Sequence, residues 1–353
     1  MKAAVLDGIG SKFEVREVEL DKPKSGELLV KVAASGLCAS DLNAVDGKRK
    51  LVPFPAVIGH EAAGVIVEVG ADVKGFSVGD HVIMSIVPSC GTCEYCASGR
   101  PNYCATAGNA MSVGGLFDGT SRLSQNGEKL NHFLTVASFA EYVVVPASGA
   151  VVIPDEMPLD RAALISCAVL TGYGAVMNTA KVKPGSTVAI FGCGGVGLNI
   201  VQGARMAGAT TIIAVDVTQE KLDLAKKVGA THVINGATSD PVAMVKEICG
   251  GVDYAFEALG RESTIQQAWG TVGVDGTLIL VGLMKNGATI TLDAGPFVNE
   301  QSIKGCYFGS ANLRKDVPAL VKSYLNGELF LDELISERIG LEGLNSAFDR
   351  LRA

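Results

Sequence analysis

The sequence predicts two domains of different class: a strand-rich, irregular antiparallel barrel or sandwich, followed by an α/β domain on a parallel sheet. Three observations carry this. Over the first ~150 residues the apolar segments are short, β-branched and separated by Gly, Pro or Asp. After Pro184, strand-like and helix-like segments alternate, which calls for a parallel sheet covered on both faces. A chain of 353 residues also exceeds what a single hydrophobic core usually organises.

MKAAVLDGIGSKFEV opens the chain as a first strand, with no apolar run long enough for a signal segment. ELLVKVAAS (27–35), HEAAGVIVEVG (60–70), GDHVIM (79–84) and AEYVVV (140–145) are the further strands of the first domain. The stretch from Gly91 to Ser138 is long, polar and glycine-rich, and reads as a loop that must be tied down. TVAIFGCGGVGLNIVQGARMAGA is then a buried strand, a glycine turn and a helix. TIIAVD is the next strand, and TQEKLDLAKKVG has the spacing of an amphipathic helix ending on glycine. HVIN, DPVAMVKEIC, VDYAFEA and GTLILVG continue the alternation, which stops near Gly305. The expected division is residues 1–168, residues 169–307, and a tail, 308–353, returning to the first domain.

Bulk composition excludes several function classes. A net charge of −7 denies the basic stripe that a nucleic-acid partner requires. No unbroken run reaches the ~18 apolar residues of a membrane span, so no membrane association is expected. The 43 glycines, well above an average share, call for many tight turns and at least one close backbone approach to a ligand. Without an export signal, the nine cysteines are expected to be thiols and ligands in a reducing compartment, the cytoplasm.

Cys90, Cys93, Cys96 and Cys104 form CGTCEYCASGRPNYC, a C-x₂-C-x₂-C-x₇-C spacing. Short C-x₂-C steps bring thiolates to one centre, as tetrahedral zinc requires. A disulfide framework does not suit a chain this long and otherwise cysteine-poor. A ferredoxin-type cluster would place its last Cys after three residues and follow it with Pro, whereas here the gap is seven and Ala105 follows. Four thiolates close the coordination shell, so this zinc is expected to be structural and the chemistry must lie elsewhere.

Gly192, Gly194 and Gly197 match G-x-G-x-x-G, with Cys193, Gly195 and Val196 between them. The motif follows a strand, opens a helix and precedes Asp216 by nineteen residues, the context of a dinucleotide fingerprint. Asp216 would bind the adenosine ribose and repel a 2′-phosphate, favouring NAD. Cys193 reads as a small apolar filler. Lys221 is placed equally well to reach the ribose or to be a solvated helix charge. Cys38, His60 and Cys167 are each ambiguous singly, and no spacing rule joins them.

Resemblance joins them. GLCASDLNAVDG, GHEAAGVIVEVG, the four-cysteine cluster, SCAVLTGYGAV and FGCGGVG occur in the order and separations of zinc-dependent medium-chain alcohol dehydrogenases. The similarity covers nearly the whole chain, and DGTSRLSQNGEKLNHF resembles the liver-type and glutathione-dependent formaldehyde dehydrogenase branches. It implies a GroES-like catalytic domain, a Rossmann NAD-binding domain, a homodimer and two zinc ions per chain. It further implies that Cys38, His60 and Cys167 hold a catalytic zinc with an open fourth position, that Ser40 takes the alcohol proton, and that Asp41 and Glu61 stand behind the ligands. Ile86, Leu116, Phe133 and Leu134 fall where the family lines its substrate pocket; all are apolar, which suits an uncharged alcohol or aldehyde, although plain core packing explains them equally well.

Three positions depart from the family pattern. Asn43 replaces a titrating His at the end of the proton relay. Ala39 replaces a basic residue that contacts pyrophosphate, which implies weaker cofactor binding. Gly108 replaces the Arg that binds the glutathione carboxylate, so the alternative enzyme would be a formaldehyde dehydrogenase acting on the adduct of another low-molecular-weight thiol. Two non-enzymatic readings fail on the residues. A zinc-stabilised dinucleotide-binding regulator has no need of Cys38, His60 and Cys167 together, and a zinc-ribbon nucleic-acid module would be basic.

Overall fold

A computed structural model describes residues 1–352. The chain forms two compact units: Met1–Cys167 rejoined by the segment from Asn312 onward, and Ala168–Ala311.

The first unit is built on two sheets. One is five-stranded and antiparallel, in the order Tyr142–Pro146, Glu27–Gly36, Glu61–Val69, His81–Met84 and Ala150–Ile153. The other has six short strands, in the order Glu14–Glu17, Lys2–Leu6, Ala56–Val57, Glu128–His132, Leu123–Gln125 and Glu19–Leu20. Its one parallel pairing joins Ala56–Val57 to Asn131–His132, bringing the chain just before His60 beside the chain just before Phe133. Ala3, Val5, Val18, Val57, Leu123, Leu130, Ala137 and Ala140 pack as an apolar core. Register shifts between Leu29 and Val30 and between Val32 and Ala34 break the long pairing of Glu27–Gly36 with Glu61–Val69; such irregularities bend a strand and let a sheet curve towards a barrel.

The stretch 91–138, expected as one long loop, carries the helices Glu94–Ala97 and Ala105–Val113 and the hairpin of Leu123–Gln125 with Glu128–His132. These elements are too short for their periodicity to stand out from a polar, glycine-rich background. The tail from Asn312 packs on the first unit. Phe348 lies 5.0 Å from Phe13 and 6.2 Å from Phe139 between ring centroids, and Asn345 exchanges two 2.9 Å hydrogen bonds with the Phe13 backbone.

In the second unit six parallel strands run in the order His232–Asn235, Thr211–Asp216, Thr187–Phe191, Val252–Glu257, Val272–Leu280 and Ser302–Gly305. Thr187–Phe191 comes first in sequence and lies centrally, with the succession running outward on both sides. The strand order therefore reverses beside it, and the glycine turn at its carboxyl end occupies that switch point, where ligands bind in open α/β sheets.

The helical stretch Leu159–Ala180 is long and apolar enough, with a mean hydropathy of 1.4, to cross a membrane by length and composition alone. Asp160, Arg161, Ser166, Thr171 and Asn178 interrupt it, so it holds no unbroken apolar run of that length. With 72% of its apolar window buried inside the protein, its hydropathy is that of a core helix. It leaves α geometry for π-helical turns at Ile165–Val169 and Ala175–Ala180.

Candidate metal centres and active site

Cys38 follows the strand Glu27–Gly36 by two residues and caps the helix Ala39–Val45. Its sulfur accepts the Ser40 N–H at 3.5 Å, and its own N–H donates to Asp41 Oδ2 at 3.0 Å, a reciprocal capping box. Hydrogen bonding from the Cys167 thiol, with His60 adding its charge, holds the Cys38 thiol well below its ordinary pKa against the opposing effect of burial. The same interaction, together with burial, pushes Cys167 up.

His60 immediately precedes the strand Glu61–Val69 and is fully buried. Its Nδ1 lies 2.9 Å from Asp41 Oδ1, with both side chains inaccessible. Burial opposes charge on the ring, but Asp41 and Cys38 outweigh it and raise the His60 pKa well above the usual value. With Nδ1 turned to Asp41, Nε2 is buried and has no protein partner. Glu61 Oε1 is likewise buried and unpartnered, and burial followed by the Cys38 charge raises its carboxyl pKa well above the ordinary range. Cys167 sits in the π-helical turn Ile165–Val169, the kind of interruption found often at functional sites.

One ligand atom from each of Cys38, His60, Glu61 and Cys167 lies within 4.8 Å of all the others. Two sulfurs, an imidazole nitrogen and a carboxylate oxygen make a donor set that suits zinc. The orphaned Nε2 and Oε1 are what such a centre needs, since buried polar atoms otherwise find partners. Asp41 stands behind His60, whereas Glu61 stands among the converging atoms and not only behind them.

The second group, Cys90, Cys93, Cys96 and Cys104, also brings its four sulfurs within 4.8 Å of one another. Cys93 and Cys90 donate backbone N–H groups to Cys90 Sγ at 3.3 Å and Cys104 Sγ at 3.2 Å. Hydrogen bonds from Thr106 and the Thr92 and Cys93 backbone lower the Cys90 pKa to about 5, while Cys96 is pushed up to about 12 by burial and by its thiol neighbours. Neighbouring thiolates repel, and a divalent cation relieves the repulsion. All nine cysteines are free of disulfides.

The other sequence-predicted residues of the first unit divide. Phe133 is fully buried, its ring centroid 5.6 Å from that of His60 with the planes at 67°, so it borders the metal cluster. Ile86, Leu116 and Leu134 are buried in the same unit. Ser40 and Asn43 lie in the helix Ala39–Val45 and are half-buried; Ala39 and Gly108 are exposed.

In the second unit Gly192 has φ +97°, a conformation open to glycine, and a Cβ on Gly197 would collide with the Gly192 carbonyl oxygen. Gly194 is the N-cap of the helix Gly195–Met206, and no side chain caps it. Space is open around Gly194, and the first-turn N–H groups are available to an anion. Asp216 is buried; its Oδ2 accepts the Cys193 N–H at 2.7 Å and its Oδ1 those of Val217 and Thr218 at 2.8 and 3.0 Å. The carboxylate thus shapes the turn, a task the motif alone did not reveal. Lys221 is exposed and near enough for its charge to act on Cys193, whose thiol burial pushes up to about 12. Val196 lies in the first turn of the helix. Sequence reasoning missed Thr171, whose buried hydroxyl has no partner. Its neighbour Gly172 packs on the Val196 carbonyl and Asn199, at the opening of that helix. A single Thr in an apolar helix gives no signal in the sequence.

Residues 24–155 match the alcohol dehydrogenase GroES-like domain, and residues 195–326 match the zinc-binding dehydrogenase domain. The chain is 40% identical over 358 residues to an NDMA-dependent alcohol dehydrogenase of Amycolatopsis methanolica, covering 99% of this chain and 95% of that one. Among solved structures it is similar to an alcohol dehydrogenase zinc-binding domain protein of Burkholderia ambifaria (38% identity, TM-score 0.95, 99% and 95% covered). It is also similar to benzyl alcohol dehydrogenase of Acinetobacter calcoaceticus (36% identity, TM-score 0.94, 99% and 96% covered). With its GroES-like and Rossmann-like units and its two clusters of metal-ligand residues, the chain belongs to the zinc-binding medium-chain alcohol dehydrogenase family.

Proposed function

We propose that this zinc-dependent alcohol dehydrogenase oxidises apolar aromatic or medium-chain alcohols with NAD as hydride acceptor, and that it holds two zinc ions. The observation that carries the reading is the convergence of Cys38, His60 and Cys167, with Nε2 of His60 buried and unpartnered. Those three residues would hold the catalytic metal, and Cys90, Cys93, Cys96 and Cys104 the structural one. Bound there, zinc would supply Lewis-acid polarisation of an alcohol oxygen, and NAD would supply the hydride acceptor. The chain's own residues prepare the chemistry. Asp41 fixes the His60 ring, Ser40 offers a hydroxyl for the alcohol proton, and Phe133 places an apolar ring beside the cluster.

NAD use is supported by the uncapped helix start at Gly194, by Gly192 and Gly197, and by Asp216 at the end of Thr211–Asp216. Thr171 and Lys221 are further candidates for holding the cofactor. The segment 118–133 supports a liver-type arrangement within the family. A thiol-adduct formaldehyde dehydrogenase is the weaker reading, because Gly108 offers no cation to an adduct carboxylate and the relatives named above are alcohol dehydrogenases.

A homodimer is supported by the edge strand Ser302–Gly305, flanked by exposed Phe297 and Val298; sedimentation at monomer mass would remove it. The cytoplasm suits nine unpaired thiols. The function is tested by assaying the purified enzyme on short, long, aromatic and terpenoid alcohols, with NAD and separately with NDMA as acceptor. NAD reduction fastest on aromatic or medium-chain alcohols supports the proposal. Turnover with NDMA alone would overturn free NAD as acceptor.

A further inference from the structure

The segment Phe133–Ala137 combines costs that a merely connecting loop would not retain. Leu134, Thr135 and Ala137 have φ of +50°, +61° and +58°. None is glycine, and an L side chain in the left-handed region is crowded by its own backbone, most of all a β-branched one. All three are buried, and the Thr135 hydroxyl has no hydrogen-bond partner. Thr135 thus carries two unrelated penalties, a disfavoured backbone and an orphaned polar atom. Such penalties persist only where the surroundings over-determine them, and they gather at working sites.

The surroundings here are specific. Val136 and Ala137 donate N–H groups back to the Phe133 carbonyl at 3.0 and 3.1 Å, closing the strap on itself. Ser138 and Phe139 donate to the carbonyls of Gly59 and Ile58 at 2.9 Å each, and Ser138 Oγ lies 2.7 Å from Ser35 Oγ. The strap is therefore fastened to the residue immediately before His60. At its other end the Phe133 ring stands against the His60 imidazole, 5.6 Å between centroids with the planes at 67°.

We propose that residues 133–137 form a strained strap, held by the hydrogen bonds around it, that positions His60, and that Thr135, as a positioning residue, limits the conformations open to it. Only a few backbone conformations are open to a β-branched residue locked into the left-handed region by the bonds around it. A glycine in the same place releases the strain and also frees the strap to move. The inference rests on the proposed function: its kinetic arm on alcohol oxidation, and its chelation and cobalt arms on His60 holding the metal.

The test compares Thr135→Gly, Thr135→Asn and Thr135→Val in the zinc-loaded enzyme. Thr135→Gly should fold at least as stably as the parent, lose at least 5-fold in kcat/KM on an aromatic alcohol with most of the loss in kcat, and release its catalytic metal to a chelator at least 3-fold faster. Its cobalt-substituted form should show a shifted visible absorption band, because the His60 ligand is less firmly placed. Thr135→Asn tolerates the left-handed region but has less backbone freedom than glycine, and should lose less than Thr135→Gly. Thr135→Val keeps the β-branch without the hydroxyl and should match the parent. Parental kcat/KM, chelation rate and cobalt spectrum in Thr135→Gly would overturn the proposal. An equal loss in Thr135→Val would overturn it too, by assigning the effect to the hydroxyl. If the glycine variant fails to fold, Ala137→Gly carries the same expectations. If the parent oxidises no alcohol but binds metal at the His60 cluster, the substrate reading fails alone, and the chelation and cobalt measurements still decide the strap.

Discussion

Asp41 holds two groups of the metal-ligand cluster at once: its Oδ2 accepts the Cys38 N–H at 3.0 Å, and its Oδ1 lies 2.9 Å from Nδ1 of fully buried His60. One carboxylate therefore sets the backbone angle at which the Cys38 side chain leaves its helix cap and the tilt of the His60 ring. Burial raises the Asp41 pKa and His60 counteracts it. An amide would keep the shape but lose the charge, and would offer one acceptor oxygen where two are used. Asp41→Asn is expected to lower catalytic-metal affinity by about 10- to 100-fold with the fold intact. Competition with a chromophoric chelator measures it, and unchanged affinity would remove Asp41 from the positioning role.

The two cysteine clusters are expected to separate chemistry from stability. Cys38→Ser should abolish turnover and leave a folded protein that keeps one zinc. Cys93→Ser should chiefly lower the melting temperature, because a closed four-thiolate site contributes folding energy outright. Metal analysis and thermal unfolding of both variants check this; fully active parent enzyme containing one zinc per chain would sink the two-site assignment.

Asp216 should impose a preference for NAD over NADP of roughly 30- to 150-fold in kcat/KM, about 2–3 kcal/mol, through charge repulsion and lost ribose hydrogen bonds. Comparable efficiency with NADP would refute it. Since Asp216 also accepts N–H groups from Cys193, Val217 and Thr218, Asp216→Ala should narrow the preference and lower stability as well. The two effects are read separately, from the kinetic ratio and from the melting temperature.

His132 supplies a pH prediction. It is fully buried with neither ring nitrogen partnered, and burial, aided by the charges of Arg122 and Lys129, lowers its pKa to about 3. In the unfolded chain the value returns to about 6.5. Between these values the unfolded state binds more protons than the folded one, so stability falls as pH falls. The slope contributed by this group approaches about 1.4 kcal/mol per pH unit within the window. His132→Phe should flatten acid unfolding between about pH 6 and pH 4 relative to the parent. An unchanged slope would show that other groups dominate.

The sequence by itself determined the period and the punctuation. Strands such as Thr187–Phe191 and Thr211–Asp216 are legible because their apolar runs are bounded by glycine and aspartate, and G-x-G-x-x-G is local enough to be read between them. The cluster from Cys90 to Cys104 is equally legible, since four donors close together in sequence can meet only near one another. Tertiary structure alone decided what depends on distant segments meeting. Cys38, His60 and Cys167 converge through a helix cap, a strand start and a π-helical turn, and nothing in the residues between them encodes that convergence locally. Glu61 joining the ligand atoms, Asp216 shaping its turn, and Thr135 held in the left-handed region belong to the same class. Each is fixed by backbone geometry and burial, which many side chains far apart in sequence impose together and no short window of sequence records.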